Sequence, residues 1–149
     1  MSNFVETFLE RIQELLDRDG LTYQQAAEES KIARKTIYGW LKYNIPPKTE
    51  SLIKLARFFQ CPIDFLIGET EETKIKFSDN PVSFSDRLKA LIKEKKITAY
   101  RACMQLHIKT DIMSVWSNKG SLPSYTHLTS LIDYFGCSAD YLLGLTDKR

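Results

Sequence analysis

The sequence predicts an all-α chain built as two tandem five-helix domains, and three observations carry that reading. An internal repeat at a shift of 76 residues runs without a gap from Phe8/Phe84 to Thr70/Thr146. Apolar residues recur at three-and-four spacing, the period of a helix with one buried face. No stretch shows the sustained apolar/polar alternation of a half-buried strand.

Identities under the shift include Arg11/Arg87, Leu15/Leu91, Thr22/Thr98, Ala26/Ala102, Ile32/Ile108, Trp40/Trp116, Pro47/Pro123, Leu52/Leu128, Leu55/Leu131, Phe59/Phe135, Asp64/Asp140, Leu66/Leu142 and Gly68/Gly144. Most are apolar or turn positions, which is the mark of a retained core under a drifting surface. Two copies do not make a solenoid, and each is long enough to be a domain. The expected organisation is a first domain over 1–69, a polar linker over 70–83 with a turn at Asn80-Pro81, and a second domain over 84–149. Fully extended, the linker would span at most about 50 Å. Ile75 and Phe77 are its candidates for docking on a domain.

In the first copy Phe4, Val5, Phe8, Leu9, Ile12, Leu15 and Leu16 form a helical stripe that Gly20 stops. Thr22 N-caps a second helix running to about Ser30; Lys31-Ile32 turns the chain, and a third helix runs from about Ala33 to Lys42. Ile45-Pro46-Pro47 breaks the pattern, and Thr49 is expected to cap a fourth helix carrying Leu52, Ile53, Leu55, Ala56, Phe58 and Phe59. A short fifth helix spans Pro62 to Ile67, with Gly68 as its stop. The second copy repeats this over Phe84–Lys95, Thr98–Leu106, Lys109–Asn118, Ser124–Phe135 and Ala139–Leu143.

With 43% hydrophobic and 27% charged residues, the chain has a globular composition. Its start has neither a basic nor an apolar leader region, and no apolar run approaches the roughly 20 residues of a membrane span, so a cytoplasmic protein is expected. Cys61, Cys103 and Cys137 have no Cys-x-x-Cys or His/Cys ligand spacing and read as small buried residues, with no metal site expected. Net charge is +2, and it is unevenly spread: residues 1–70 carry −1 and 71–149 carry +3. Lys93-Glu94-Lys95-Lys96 reads as a solvated helix end. Catalytic signatures, a Gly-rich phosphate cradle and paired carboxylates are all missing from the sequence, so neither an enzyme nor a cofactor is expected. His107 and His127 read as surface histidines, whereas Trp40, Trp116 and the pairs Phe58/Phe59 and Tyr134/Phe135 read as core.

Two short helices joined by a tight turn need a small residue where they cross and apolar residues where they face each other. Ala27, Ile32, Ile37 and Trp40 supply these in the first copy, and Cys103, Ile108, Met113 and Trp116 in the second. On these residues the chain resembles the lambda-repressor-like, Cro-type helix-turn-helix family, also called XRE regulators. The resemblance rests on Leu21-Thr22, Ile32-Ala33-Arg34-Lys35-Thr36-Ile37, Trp40, Pro47, Leu52-x-x-Leu55-Ala56 and Asp64-Phe65-Leu66-Ile67-Gly68, the last recurring as Asp140-Tyr141-Leu142-Leu143-Gly144.

What the resemblance implies is a sequence-specific regulator of the bacterial or phage repressor type, its third helix in the major groove of double-stranded DNA. By matching position Arg34, Lys35, Tyr38 and Gly39 would face bases, while Tyr23, Lys42 and Tyr43 would hold the backbone. In the second copy Thr110, Asp111, Ser114 and Val115 would face the groove, with Lys109, Asn118 and Lys119 on phosphates. The family's usual Gln is replaced by Tyr23 and Ala99, and its frequent turn Gly by Lys31 and His107, which would strain the backbone if φ is positive. Asp111 and Val115 make the second copy the poorer reader, leaving it the alternatives of DNA contact or of pairing as a homodimer or pseudo-dimer. A different class of function, protein interaction as an antirepressor or antitoxin-like partner, stands beside DNA binding.

Overall fold

The structure, a computed structural model, describes residues 4–149. The chain forms two compact units that part between Ile75 and Lys76. Among the described residues each unit holds five helices and no strand.

Unit 1 runs α1 (Phe4–Asp19), α2 (Tyr23–Ser30), α3 (Arg34–Tyr43), α4 (Thr49–Phe59) and α5 (Ile63–Leu66). Val5, Phe8, Ile12, Leu15 and Leu16 form the buried stripe of α1, and Gly20 ends it with φ +66°. Thr22 opens α2 with a capping box: its hydroxyl accepts from the Gln25 amide at 3.2 Å, and the Gln25 side chain accepts from the Thr22 amide at 2.9 Å. The expected cap of α4 is displaced by one residue. Lys48 holds the extended half-in position, without a side-chain cap bond, and Thr49 is the first helical residue, sunk into the core. Pro62 likewise precedes α5 instead of beginning it.

Unit 2 runs α6 (Phe84–Glu94), α7 (Ala99–Leu106), α8 (Thr110–Asn118), α9 (Tyr125–Phe135) and α10 (Ala139–Leu142). Four of these helices start on a hydroxyl that accepts a backbone amide: Ser83, Thr98, Ser124 and Ser138. Each such cap is worth about 1 kcal/mol. At the end of α6, Lys96 takes the left-handed conformation that Gly20 takes in unit 1, at φ 59°.

Both cores are organised around a tryptophan on the third helix. The Trp40 ring meets Phe8 edge-on at 5.1 Å, and Trp116 meets Phe84 at 5.8 Å. A cation over an aromatic face recurs as well, with Arg11 over Phe65 at 4.4 Å and Arg87 over Tyr141 at 3.7 Å. A third equivalence is reached by a different residue. Arg18 donates to the Phe59 carbonyl at the end of α4, but Glu94 stands at the matching place in unit 2. There Arg149 donates to the Phe135 carbonyl and pairs with Glu94 at 2.6 Å. Cys61 and Cys103 are buried, and burial pushes the Cys103 thiol up.

The polar segment between the repeats is tied down at both ends. Arg11 donates to the Thr70 carbonyl at 3.3 Å and pairs with Glu71 at 3.0 Å in unit 1. In unit 2 the Ser78 amide donates to Leu145 at 2.7 Å, and the Thr146 hydroxyl donates to Lys76 at 3.0 Å. Ile75 and Phe77 are half-buried. Val82 lies so close to Gly144, at φ +79°, that a Cβ there would stand 1.8 Å from the Val82 carbonyl oxygen. Gly136, with φ +62°, has open space around it. Gly136→Ala should therefore cost only the left-handed penalty, about 1–2 kcal/mol. Gly144→Ala must also displace backbone, and a urea titration of the two variants should place its midpoint well below that of Gly136→Ala.

Candidate nucleic-acid interface

Three residues make the turn between α2 and α3. Lys31 adopts the left-handed conformation at φ 62° and donates to the Ala27 and Glu28 carbonyls; the Ile32 amide also reaches Ala27, at 3.0 Å. Ile32 is buried as the plug of the turn, and extended Ala33 launches α3. The α4 side chain of Lys54 donates to the Lys31 carbonyl at 3.3 Å, fixing the turn from outside. His107 repeats the left-handed turn in unit 2 at φ 57°. The strain expected at Lys31 and His107 is thus present in both units.

Ile37 and Trp40 bury one side of α3, which puts Arg34, Lys35, Tyr38, Lys42 and Tyr43 on its exposed side. Gly39 does not join them. It is buried, and Ile45 from the following loop lies over it, 3.2 Å from where a Cβ would be. A Cβ there would require the Ile45 side chain to shift by a few tenths of an ångström. Tyr23 lies half-buried at the start of α2, and burial raises its phenol above the ordinary tyrosine range.

Among the described residues, none of the ion pairs involves Arg34, Lys35 or Lys42. Lys42 reaches over the Tyr38 ring at 5.7 Å, and the rings of Tyr38 and Tyr43 meet edge-on at 6.2 Å. From Lys31 to Lys48 the chain carries five cations and no carboxylate, whereas α1 and α2 carry most of the acids of unit 1. The turn and α3 together carry Lys31, Arg34, Lys35 and Lys42 and no carboxylate.

Leu41 is a surface residue that the sequence reading omitted: it is 46% exposed, beside Tyr38 at 52%. Arg34, Tyr38 and Leu41 share a side of α3 and, with Tyr23, Gln24, Ala27 and Ile37, line an open cleft of about 170 Å³ against α2. The spacing i, i+4, i+7 from Arg34 is the signal that could have found Leu41.

In unit 2 Lys109, Thr110, Asp111, Ser114, Asn118 and Lys119 are exposed on or beside α8. Val115, at the position matching Gly39, is half-buried. Ser114 and Asn118 are hydrogen-bonded to each other at 3.1 Å, and Asp111 accepts from the Ile112 amide at 3.0 Å. The polar groups of α8 are partly occupied by the helix itself. Tyr100 and Met104, one turn apart on α7, are 64% and 58% exposed, at the positions where unit 1 has Gln24 and Glu28.

Residues 12–66 match a family model described as helix-turn-helix, a stretch that runs from within α1 to the end of α5. No curated protein and no solved structure matches the chain. Among the described residues no helix is long and apolar enough to cross a membrane, and no group of three or more His, Cys, Asp or Glu side chains could hold a metal ion.

The raised phenol of Tyr23 has a sign that can be read in stability. Folding favours the neutral form, so its contribution is complete below the ordinary tyrosine pKa and is lost as pH climbs through the higher folded value. Tyr23→Phe should remove that part of the alkaline loss of stability, as measured by urea midpoints taken on either side of the tyrosine range.

Proposed function

We propose that the chain binds double-stranded DNA as a sequence-specific transcription regulator of the repressor type, with α3 of unit 1 in the major groove. The observation that carries this reading is the exposed, carboxylate-free face of α3, where Arg34, Lys35 and Lys42 are engaged in no ion pair among the described residues. Such a face on a helix-turn-helix is suited to a polyanion, and Arg or Lys on the early turns can donate to guanine O6 and N7. Arg34 and Lys35 take the base-reading role, beside Tyr38; Lys42, Tyr43 and Tyr23 take phosphate positioning. Both units belong, in this reading, to the lambda-repressor-like fold in tandem.

Selection from random duplexes by the full chain tests this. An enriched site should lose about 1–3 kcal/mol with Arg34→Ala and with Lys35→Ala, and its preference should relax at the base each residue reads. Lys42→Ala should weaken all duplexes alike and reduce the salt slope by about one.

For unit 2 the exposed Tyr100/Met104 pair favours a second role, pairing of chains through protein contact, over base reading by Thr110 and Ser114 with Lys109, Asn118 and Lys119 on phosphates. Apolar side chains one turn apart on an open helix face are a protein-contact signature, and Asp111 opposes phosphate. The full chain should sediment as a dimer, and Tyr100→Ser combined with Met104→Ser should return it to the mass of one chain with its helix content intact.

A further inference from the structure

We propose that the cleft between α2 and α3 of unit 1 takes the C5-methyl group of a thymine, and that Tyr38 and Leu41 make unit 1 selective for thymine at that position. This rests on the DNA reading of unit 1. Three observations lead to it. The cleft, of about 170 Å³, has Ala27 and Ile37 among its lining residues and Tyr38 and Leu41 at its exposed edge, so its surface is almost wholly apolar. Arg34 is among the residues that line it. The surrounding stretch from Lys31 to Lys48 has five cations and no acid.

The first observation asks for an apolar group, and the other two ask for an anionic molecule. A lipid tail or an apolar peptide satisfies only the former. In the major groove of DNA both demands meet at one base: thymine alone presents a methyl group, whereas the remaining base edges present donors and acceptors that Leu41 cannot answer. A methyl is close in size to a water molecule, whose share of volume is about 30 Å³, so the cleft holds it with room for the C5–C6 edge of the ring. Arg34 at the same cleft supplies the polar contact to a neighbouring guanine or phosphate. Tyr38 and Leu41, left half in water in the free protein, are covered when the methyl enters.

The decisive reagent is deoxyuridine, which keeps the pairing edge and the O4 acceptor of thymidine and lacks only the methyl. In a duplex enriched by the full chain, each thymine in turn is replaced by uracil and the Kd is measured at fixed salt. At one or two positions the wild-type chain should bind the uracil duplex about three- to five-fold more weakly. The chain carrying Tyr38→Ala and Leu41→Ala should bind the thymine and uracil duplexes equally while keeping its salt slope. If a duplex is enriched but every uracil substitution is neutral for the wild-type chain, the methyl site is overturned and the DNA reading stands. If no duplex is enriched at low salt, the DNA reading falls and the methyl site with it. The uracil series needs only the unaltered protein, so it decides even if the double variant fails to fold.

Discussion

The edge-on contact between Trp40 and Phe8 is the constraint on which the candidate interface depends. A ten-residue helix that is amphipathic can be rotated about its axis unless something large is locked in place, and α3 is locked by an indole only 2% exposed. With Trp40 and Ile37 driven inward, helical geometry sends residues 34, 35, 38, 41 and 42 outward. The exposed face of α3 is thus the complement of its core face. Trp116 against Phe84 imposes the same rotation on α8.

That coupling explains how much could be read without a structure. The left-handed turn at Lys31 and His107 was expected only from the family resemblance, whereas helices, the tryptophans as core and the Thr22 cap follow from short-range rules of spacing and capping. Gly39 did not, because its neighbour Ile45 belongs to a loop whose path no periodicity encodes. Thr49 is the residue type of a cap, yet tertiary packing drew it into the core and left Lys48 as the boundary. The identity Arg11/Arg87 stood out among apolar repeat positions without a sequence-level reason, and only the paired rings of Phe65 and Tyr141 supply one. The cleft beside Leu41 was invisible for another cause: it is a space between two helices, and a sequence specifies side chains, not the gaps among them.

The two five-helix units carry different surfaces. The tryptophan–phenylalanine and arginine–aromatic contacts recur at matching positions, and Arg149 serves the Phe135 carbonyl that Glu94 cannot. The third-helix faces share no such discipline. Cations and aromatics on α3 correspond on α8 to Thr110, Asp111, Ser114 and Asn118, and polar α2 positions correspond to Tyr100 and Met104 on α7. A core position answers to its neighbours in the same unit, whereas a surface position answers to whatever it meets.

The connecting segment also separates the block that repeats from the block that folds. Repeat equivalence begins again at Phe84, but the hydrogen-bonded edge of unit 2 begins at Lys76, where Thr146 and Leu145 hold the chain and Val82 presses on Gly144. Local stability is set by such contacts more than by helical content. The Ser78 amide is held by the Leu145 carbonyl at the end of unit 2. Residues 76–83 belong to the second compact unit, although they lie outside its helices.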